Sequence, residues 1–380
     1  MTFAPIPKWH NIAKALIKPS LSEKLLSDSW ASKNETSYWF SQSSWSLYLI
    51  IKFRCLVNPK RQVNVWLPDY FCNESTVQIR SLGINLSFYP VLLNGKPDLL
   101  FCNRMIDNAQ PDVILYVNYF GEPLFSKGLG EIAKDTKAWL IEDSAHCLKP
   151  EKGIGSFGDF VIYSPHKLLS IPDGALLVIR DNGPSKITQT FVEEFGFDSL
   201  YRSLIGMSMS LNLMSFKWIF KRLIQKLGLH RLYNPKTIHN KSLNIEQLPH
   251  PKMSKFSQKL LSVMLDLEKE SIHRKEIQKR WDESLHDLIT IKDIGVTQKN
   301  FLYIPYLAKI ASKNGMLAKD IIDLFKNSKI PISTWPDLPP EVLNNPDTHK
   351  NAIQMRHKYV FFPVHSSISA KNLKSVTRGL

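Results

Sequence analysis

Between residues 63 and 179 one pattern recurs: a short apolar run, a polar punctuation, then a polar or helical connection. The runs are "VNVWLPDY", "NLSFYPV", "DVILYVNY", "AWLIEDSA", "DFVIY" and "ALLVI". A strand with one face in water alternates apolar and polar residues. These runs do not, as expected where helices cover both faces of a sheet. "NESTVQIRSLG", stopped by Gly83, and "KGLGEIAKDTK" read as intervening helices. Such alternation implies a mostly parallel α/β sheet.

The remaining segments extend this reading. Residues 38–57, with Ser41, Ser43 and Ser44 near their start, read as an apolar helix. Residues 254–288 carry apolar positions at helical spacing and read as one long helical stretch. "FLYIPYLAKI" reads as a strand, "LAKDIIDLFKNSKI" as a helix, "PISTWPDLPPEVLNNPD" as a proline-rich loop and "NLKSVTRGL" as a closing helix. At 380 residues the chain is long enough for two domains. They are expected over 1–245, the large one, and 246–380, a smaller α+β one.

In open α/β sheets, sites form at the carboxyl ends of the strands. Polar groups gather there: Asn118, the Glu142–Asp143 pair, and Ser164 to Lys167. Lys167 is the unusual one, because a lysine between two core strands needs a partner or a function. The "GIGSFG" run, with Gly153, Gly155 and Gly158, matches a dinucleotide fingerprint in letters only. It precedes a strand instead of opening a helix, so it reads as a turn.

Several classes are set aside. Cys55, Cys72, Cys102 and Cys147 are scattered without a CxxC pair, which fits neither a disulfide framework nor a metal site. The net charge is +15, but zinc-finger, RRM and basic-zipper signatures are absent, so nucleic acid is not an expected partner. The opening residues hold no continuous apolar run, and a cytoplasmic location is expected.

The chemistry then turns on Asp143, His146 and Lys167. A desolvated lysine exposes a neutral amine, which condenses with an aldehyde. The aldehyde cofactor pyridoxal phosphate (PLP) needs an acid at its ring nitrogen, a phosphate cradle and a group against the ring. Asp143 is the candidate acid. Ser43 and Ser44, at a helix start, offer hydroxyls and N–H groups to a phosphate, and Ser164 adds a third hydroxyl. His146 is the candidate ring contact. Singly, each has a structural alternative: helix caps for the serines, a structural ion pair for Asp143, a core position for His146. Together, at these strand ends, the cofactor reading is the stronger.

"LIEDSAH", "GSFGDFVIYSPHK" and "PDGALLVI" resemble the DegT/DnrJ/StrS family of PLP-dependent sugar aminotransferases, which have fold type I. "FSQSSWSLYLIIKFR", "VNYFGEP", "MSKFSQKLLSVMLDLEKESIHRKEIQKRW" and "YVFFPVHSSISAKNLKSV" are similar to further family segments. The resemblance implies that Lys167 forms the Schiff base, that Asp143 partners the ring nitrogen, and that His146, Ser43 and Ser44 bind the cofactor. It puts Tyr70 or Phe71 near the stacking position. It also implies transfer of an amino group, from glutamate or glutamine, to a keto sugar carried on a nucleotide, in a homodimer that serves glycan synthesis. Departures are visible. "SQSSWS" lacks the family's turn glycine, His166 replaces Thr or Ser, "LLSIPDG" shortens the glycine-rich run, and Asn118 replaces histidine. A sugar dehydratase-like enzyme and a non-catalytic scaffold are the alternatives that these departures motivate.

Residues 199–245 differ from the rest: no acidic residue and eight Lys or Arg. An amphipathic helix covering the sheet or a dimer interface is one reading. Contact of about 204–228 with an anionic membrane is another, and attraction of a phosphorylated substrate a third.

Overall fold

The structure, a computed structural model, describes residues 4–185, 189–206, 212–226, 250–286, 294–297, 302–312, 315–325, 331–335, 337–368 and 373. Seven strands form the main sheet: β1 (Thr36–Phe40), β2 (Asn64–Pro68), β3 (Asn85–Tyr89), β4 (Val113–Val117), β5 (Trp139–Ser144), β6 (Phe160–Tyr163) and β7 (Ala175–Ile179). Their order is β1-β7-β6-β5-β4-β2-β3. β3, β2, β4, β5 and β6 pair in parallel, while β7 runs antiparallel to both its neighbours. Every residue of β2, β4, β6 and β7 is buried, which is why these runs show no alternation in sequence. The chain is therefore a mixed α/β protein built on one mostly parallel seven-stranded sheet, as expected.

Several elements differ from expectation: the strand expected in "FLYIPYLAKI" starts only at Leu307, the expected proline-rich loop contains the one-turn helix Pro340–Leu343, and two expected helices are redrawn. Tyr38 to Phe40 complete β1, and the helix starts only at Ser43 and runs to Val57. Aromatic residues suit a strand, and here Tyr38 pairs in register with Leu177 and packs its ring 4.7 Å from Tyr201. The long stretch after 254 is two helices, Lys255–Ser262 and Leu267–His286. Ser254 caps the first, its hydroxyl accepting from the Ser257 N–H at 3.2 Å.

A second, antiparallel sheet joins β8 (Ile294–Val296), β9 (Leu307–Ser312) and β10 (Val360–Pro363), in the order β10-β9-β8. It packs with the helices Leu267–His286 and Ala318–Leu324 around Trp281, Ile310, Ile321 and Phe362. Trp335, Leu338, Ala352 and Tyr359 instead join the apolar cluster of the main sheet. The C-terminal third thus ties into both cores. The expected boundary near 245 lies outside the described residues, as does almost all of the expected closing helix.

One buried carboxylate organises the middle of the main sheet. Side chains alternate across a strand, so Glu142 and Asp143 leave β5 on opposite faces. Glu142 is fully buried. It accepts from Asn118 Nδ2 (2.9 Å), Ser144 Oγ (3.1 Å) and the backbone N–H groups of Gly155, Phe157 (3.1 Å) and Gly158 (3.4 Å). The "GIGSFG" run is a turn wrapped on this carboxylate. Gly155 needs its positive φ of 77°, and a Cβ there would lie 2.1 Å from the Tyr163 hydroxyl. Glu142→Ala strips an acceptor from five donors at once. It should lower unfolding stability by about 3 kcal/mol or more, read by chemical denaturation. A change within about 0.5 kcal/mol, the usual range for a surface residue, would contradict this role.

Candidate functional site

The parallel strands point their carboxyl ends to one edge, and a pocket opens there. β1 leads to Ser43 and Ser44, β2 to Phe71 and Cys72, and β4 to Tyr119. β5 presents Asp143 and His146, and β6 leads to Lys167. All of these line one cavity. It adjoins a larger cleft of about 310 Å³ that shares Ser43, Ser44, His146 and Lys167 and adds Glu74, His166, Tyr306 and Ser333. Of the residues expected from sequence, Lys167, Asp143, His146, Ser43, Ser44 and Phe71 are brought together. Ser164 is not among the lining residues. It is fully buried, with Oγ 3.2 Å from His166 Nδ1. The chain turns into a one-turn helix, Pro165–Leu168, directly after it, and that turn delivers Lys167 to the pocket. Tyr70, the other candidate for stacking, packs face-to-face on Trp335 at 4.3 Å.

Asp143 faces Lys167 electrostatically. Burial pushes its carboxyl up, while the Lys167 charge and the Ala145 N–H, 2.9 Å from Oδ1, pull it down. Ser44 Oγ accepts from Gln78 Nε2 at 2.7 Å, which leaves the hydroxyl hydrogen to donate towards the pocket. This serine sits in the first turn of a 15-residue helix, where backbone N–H groups lack helical partners.

Two histidines flank Lys167 in opposite tautomers. The Phe120 N–H donates to His146 Nδ1 (3.3 Å), so the proton of His146 is on Nε2. Burial, then the Lys167 charge, hold His146 well below the usual imidazole range. His166 Nδ1 lies 2.9 Å from the Gly174 carbonyl, which only accepts, so the proton is on Nδ1 and Nε2 is an acceptor. Burial pushes His166 down to about 4. Near neutral pH the site therefore holds one neutral donor and one neutral acceptor beside the lysine.

Sequence reading missed the residues supplied from the far end of the chain. The Tyr306 ring lies flat on His146 at 4.4 Å and 11°, and the Trp335 ring meets His146 edge-on at 5.9 Å. Arg274, in the middle of the helix Leu267–His286, is buried. It donates to the carbonyls of Leu168 (2.6 Å), Pro305 (3.2 Å) and Tyr306 (3.1 Å), and pairs with Glu270 at 2.9 Å. One guanidinium thus holds both the residue after Lys167 and the segment that carries Tyr306. Gly121 completes this seam. Its φ is 90°, and a Cβ there would lie 2.1 Å from the Ile304 carbonyl. Arginine in a helix rich in Lys and Glu gives no local sign of such a role. Among the described residues, no cluster of metal-ligating side chains occurs.

Residues 96–380 match the profile of the DegT/DnrJ/EryC1/StrS aminotransferase family. No curated protein sequence matches the chain. Among solved structures, the fold is similar to the putative sugar aminotransferase Spr1654 of Streptococcus pneumoniae in its PMP form. There the TM-score is 0.69 and the identity 14%, over 100% of this chain and 96% of that one. PseC of Helicobacter pylori, an aminotransferase involved in the biosynthesis of pseudoaminic acid, aligns with TM-score 0.65 and 14% identity over 99% and 97%. The aminotransferase TlmJ of Streptoalloteichus hindustanus aligns with 0.66 and 14% over 100% and 96%.

Two substitutions separate fold from site. Asp143→Asn keeps an oxygen for the Ala145 N–H and removes a charge whose burial is unfavourable. A carboxyl raised in the folded state costs stability above its folded pKa. The variant without cofactor should therefore melt at or above the wild type at pH 8, with the gain shrinking as pH falls towards 4. A lower melting point at pH 8 would overturn the assignment. Arg274→Met orphans two buried carbonyls, a part-buried third and Glu270, and should cost about 3–5 kcal/mol in denaturant unfolding, with Arg274→Lys falling between it and wild type.

Proposed function

The chain belongs to the DegT/DnrJ/EryC1/StrS aminotransferase family, and on that premise we propose that this pocket transfers an amino group to a keto sugar carried on a nucleotide. The family is one of PLP-dependent aminotransferases, so PLP is the cofactor. The donor set of the pocket fits it: an amine, a carboxylate raised by burial, and a helix N-terminus with two serines. The single observation that carries the reading is the convergence of Lys167, Asp143, His146 and the Ser43–Ser44 helix start on one cavity.

When bound, the cofactor supplies an aldehyde for amino groups and a protonated ring that draws electrons from the reacting carbon. With the cofactor bound, Lys167 would be the residue that holds it, through Nζ. Its Nζ, once neutral, takes the proton from the amino-bearing carbon of the donor. Later it returns one to the former carbonyl carbon of the acceptor. Asp143 keeps the ring nitrogen protonated. That anion is uncomfortable alone, and a cationic ring relieves it. Ser43, Ser44 and the helix N-terminus hold the phosphate. The His146 Nε2–H would be a donor to the cofactor, while Tyr306 fixes the imidazole plane, and Phe71 would supply an apolar wall. Glutamate or glutamine is the proposed donor. A homodimer in the cytoplasm is the proposed working form, because sites in this fold lie between protomers.

Absorbance tests this directly. Purified protein mixed with PLP should develop a visible band, and Lys167→Ala should abolish it with activity reduced by at least ~10³-fold. A glutamate addition that bleaches the band and releases the matching keto acid separates transamination from dehydration. A wild-type protein that stays colourless would overturn the proposal.

A further inference from the structure

Outside the pocket, the least ordinary surface is the helix Asn212–Lys226. At 3.6 residues per turn, Leu223, Phe220, Lys217 and Lys221 share about 160° of its circumference. All four are exposed, Phe220 by 58% and Leu223 by 36%. The opposite side is anchored. Trp218 packs towards Phe256 of the helix Lys255–Ser262, with ring centroids 6.4 Å apart, and Arg222 lies over the Trp218 ring at 5.3 Å. The Arg222 guanidinium donates to Gln225 at 2.8 Å. The helix is thus fixed to the body by one face and presents the other. That outer face is half apolar and half cationic.

We propose that this face docks the protein on an anionic lipid surface. Three observations favour that occupant. The helix Asn212–Lys226 holds four Lys or Arg and no acidic residue, and two of them, Lys217 and Lys221, lie on the exposed face, which complements anionic headgroups. Phe220 and Leu223 beside Lys217 and Lys221 give the wedge-and-charge pairing of an interfacial helix, whereas phosphate recognition alone leaves the exposed phenyl ring unexplained. A second copy is disfavoured, because a two-fold contact would gather Lys217 and Lys221 of both copies with no acidic residue of this helix to offset them. No described helix is long and apolar enough to cross a membrane, so the contact is peripheral.

Vesicle sedimentation of the full chain tests this, with phosphatidylcholine vesicles with and without phosphatidylglycerol. Wild type should sediment with the anionic vesicles alone, and less as salt rises. Each lysine near such a surface strengthens binding roughly fivefold, so Lys217→Glu with Lys221→Glu should weaken it at least ~25-fold. Phe220→Ser with Leu223→Ser should weaken it too, with the oligomeric state in sedimentation equilibrium unchanged. Three results would each overturn the proposal: no sedimentation with anionic vesicles at low salt, charge-reversed protein that binds as wild type, or a serine variant that changes oligomeric state. Thermal melting confirms that both double variants fold.

Discussion

The placement of Glu142 and Asp143 as neighbours on one strand is the constraint from which the rest follows. Strand geometry sends them to opposite faces, so one sequence position decides which carboxylate serves structure and which faces the pocket. Glu142 is saturated by five donors, three of them backbone N–H groups of the following turn. That turn sets where β6 begins, and β6 sets where Lys167 emerges. A register slip of one residue would exchange the two carboxylates. The turn would then lose its acceptor, and the lysine would face the wrong acid.

The electrostatics of the pocket follow from the same arrangement. The buried wall leaves Asp143 short of compensation, with Lys167 as its opposing charge. The two histidines nearest the lysine are both held neutral by burial, and their backbone partners fix where each proton sits. The site thus concentrates its charge in one amine and one carboxylate. Additional cations at Lys167 would repel a protonated ring. Additional anions would repel a phosphate.

The central sheet was legible because burial on both faces removes alternation and leaves runs such as "VILYV" in plain view. The pocket was legible in so far as it hangs on strand ends, which is why Asp143 and Lys167 could be placed at one edge from sequence. Ser164 misled because spacing alone does not say which way a turn faces, and this hydroxyl turned inward to His166. Tyr38 to Phe40 were read into a helix because strand β1 is defined by its partner β7, far away in sequence. Tyr306, Trp335 and Arg274 carry no local signal at all. Their contacts with the site span more than a hundred residues of chain, and only the closed fold brings them there.

Arg274 has a consequence for how such a chain comes off the ribosome. The main sheet is complete once β7 has emerged, and with it the strand ends that carry Asp143 and Lys167. The guanidinium behind Leu168, the ring beneath His146 and the indole at the edge of the pocket all arrive later, from residues 274, 306 and 335. A nascent chain therefore displays Lys167 in a half-walled pocket, and the wall closes only near the end of synthesis. Maturation of the pocket follows the order of translation, and a truncation before residue 306 removes both the Tyr306 and the Trp335 rings from beside His146.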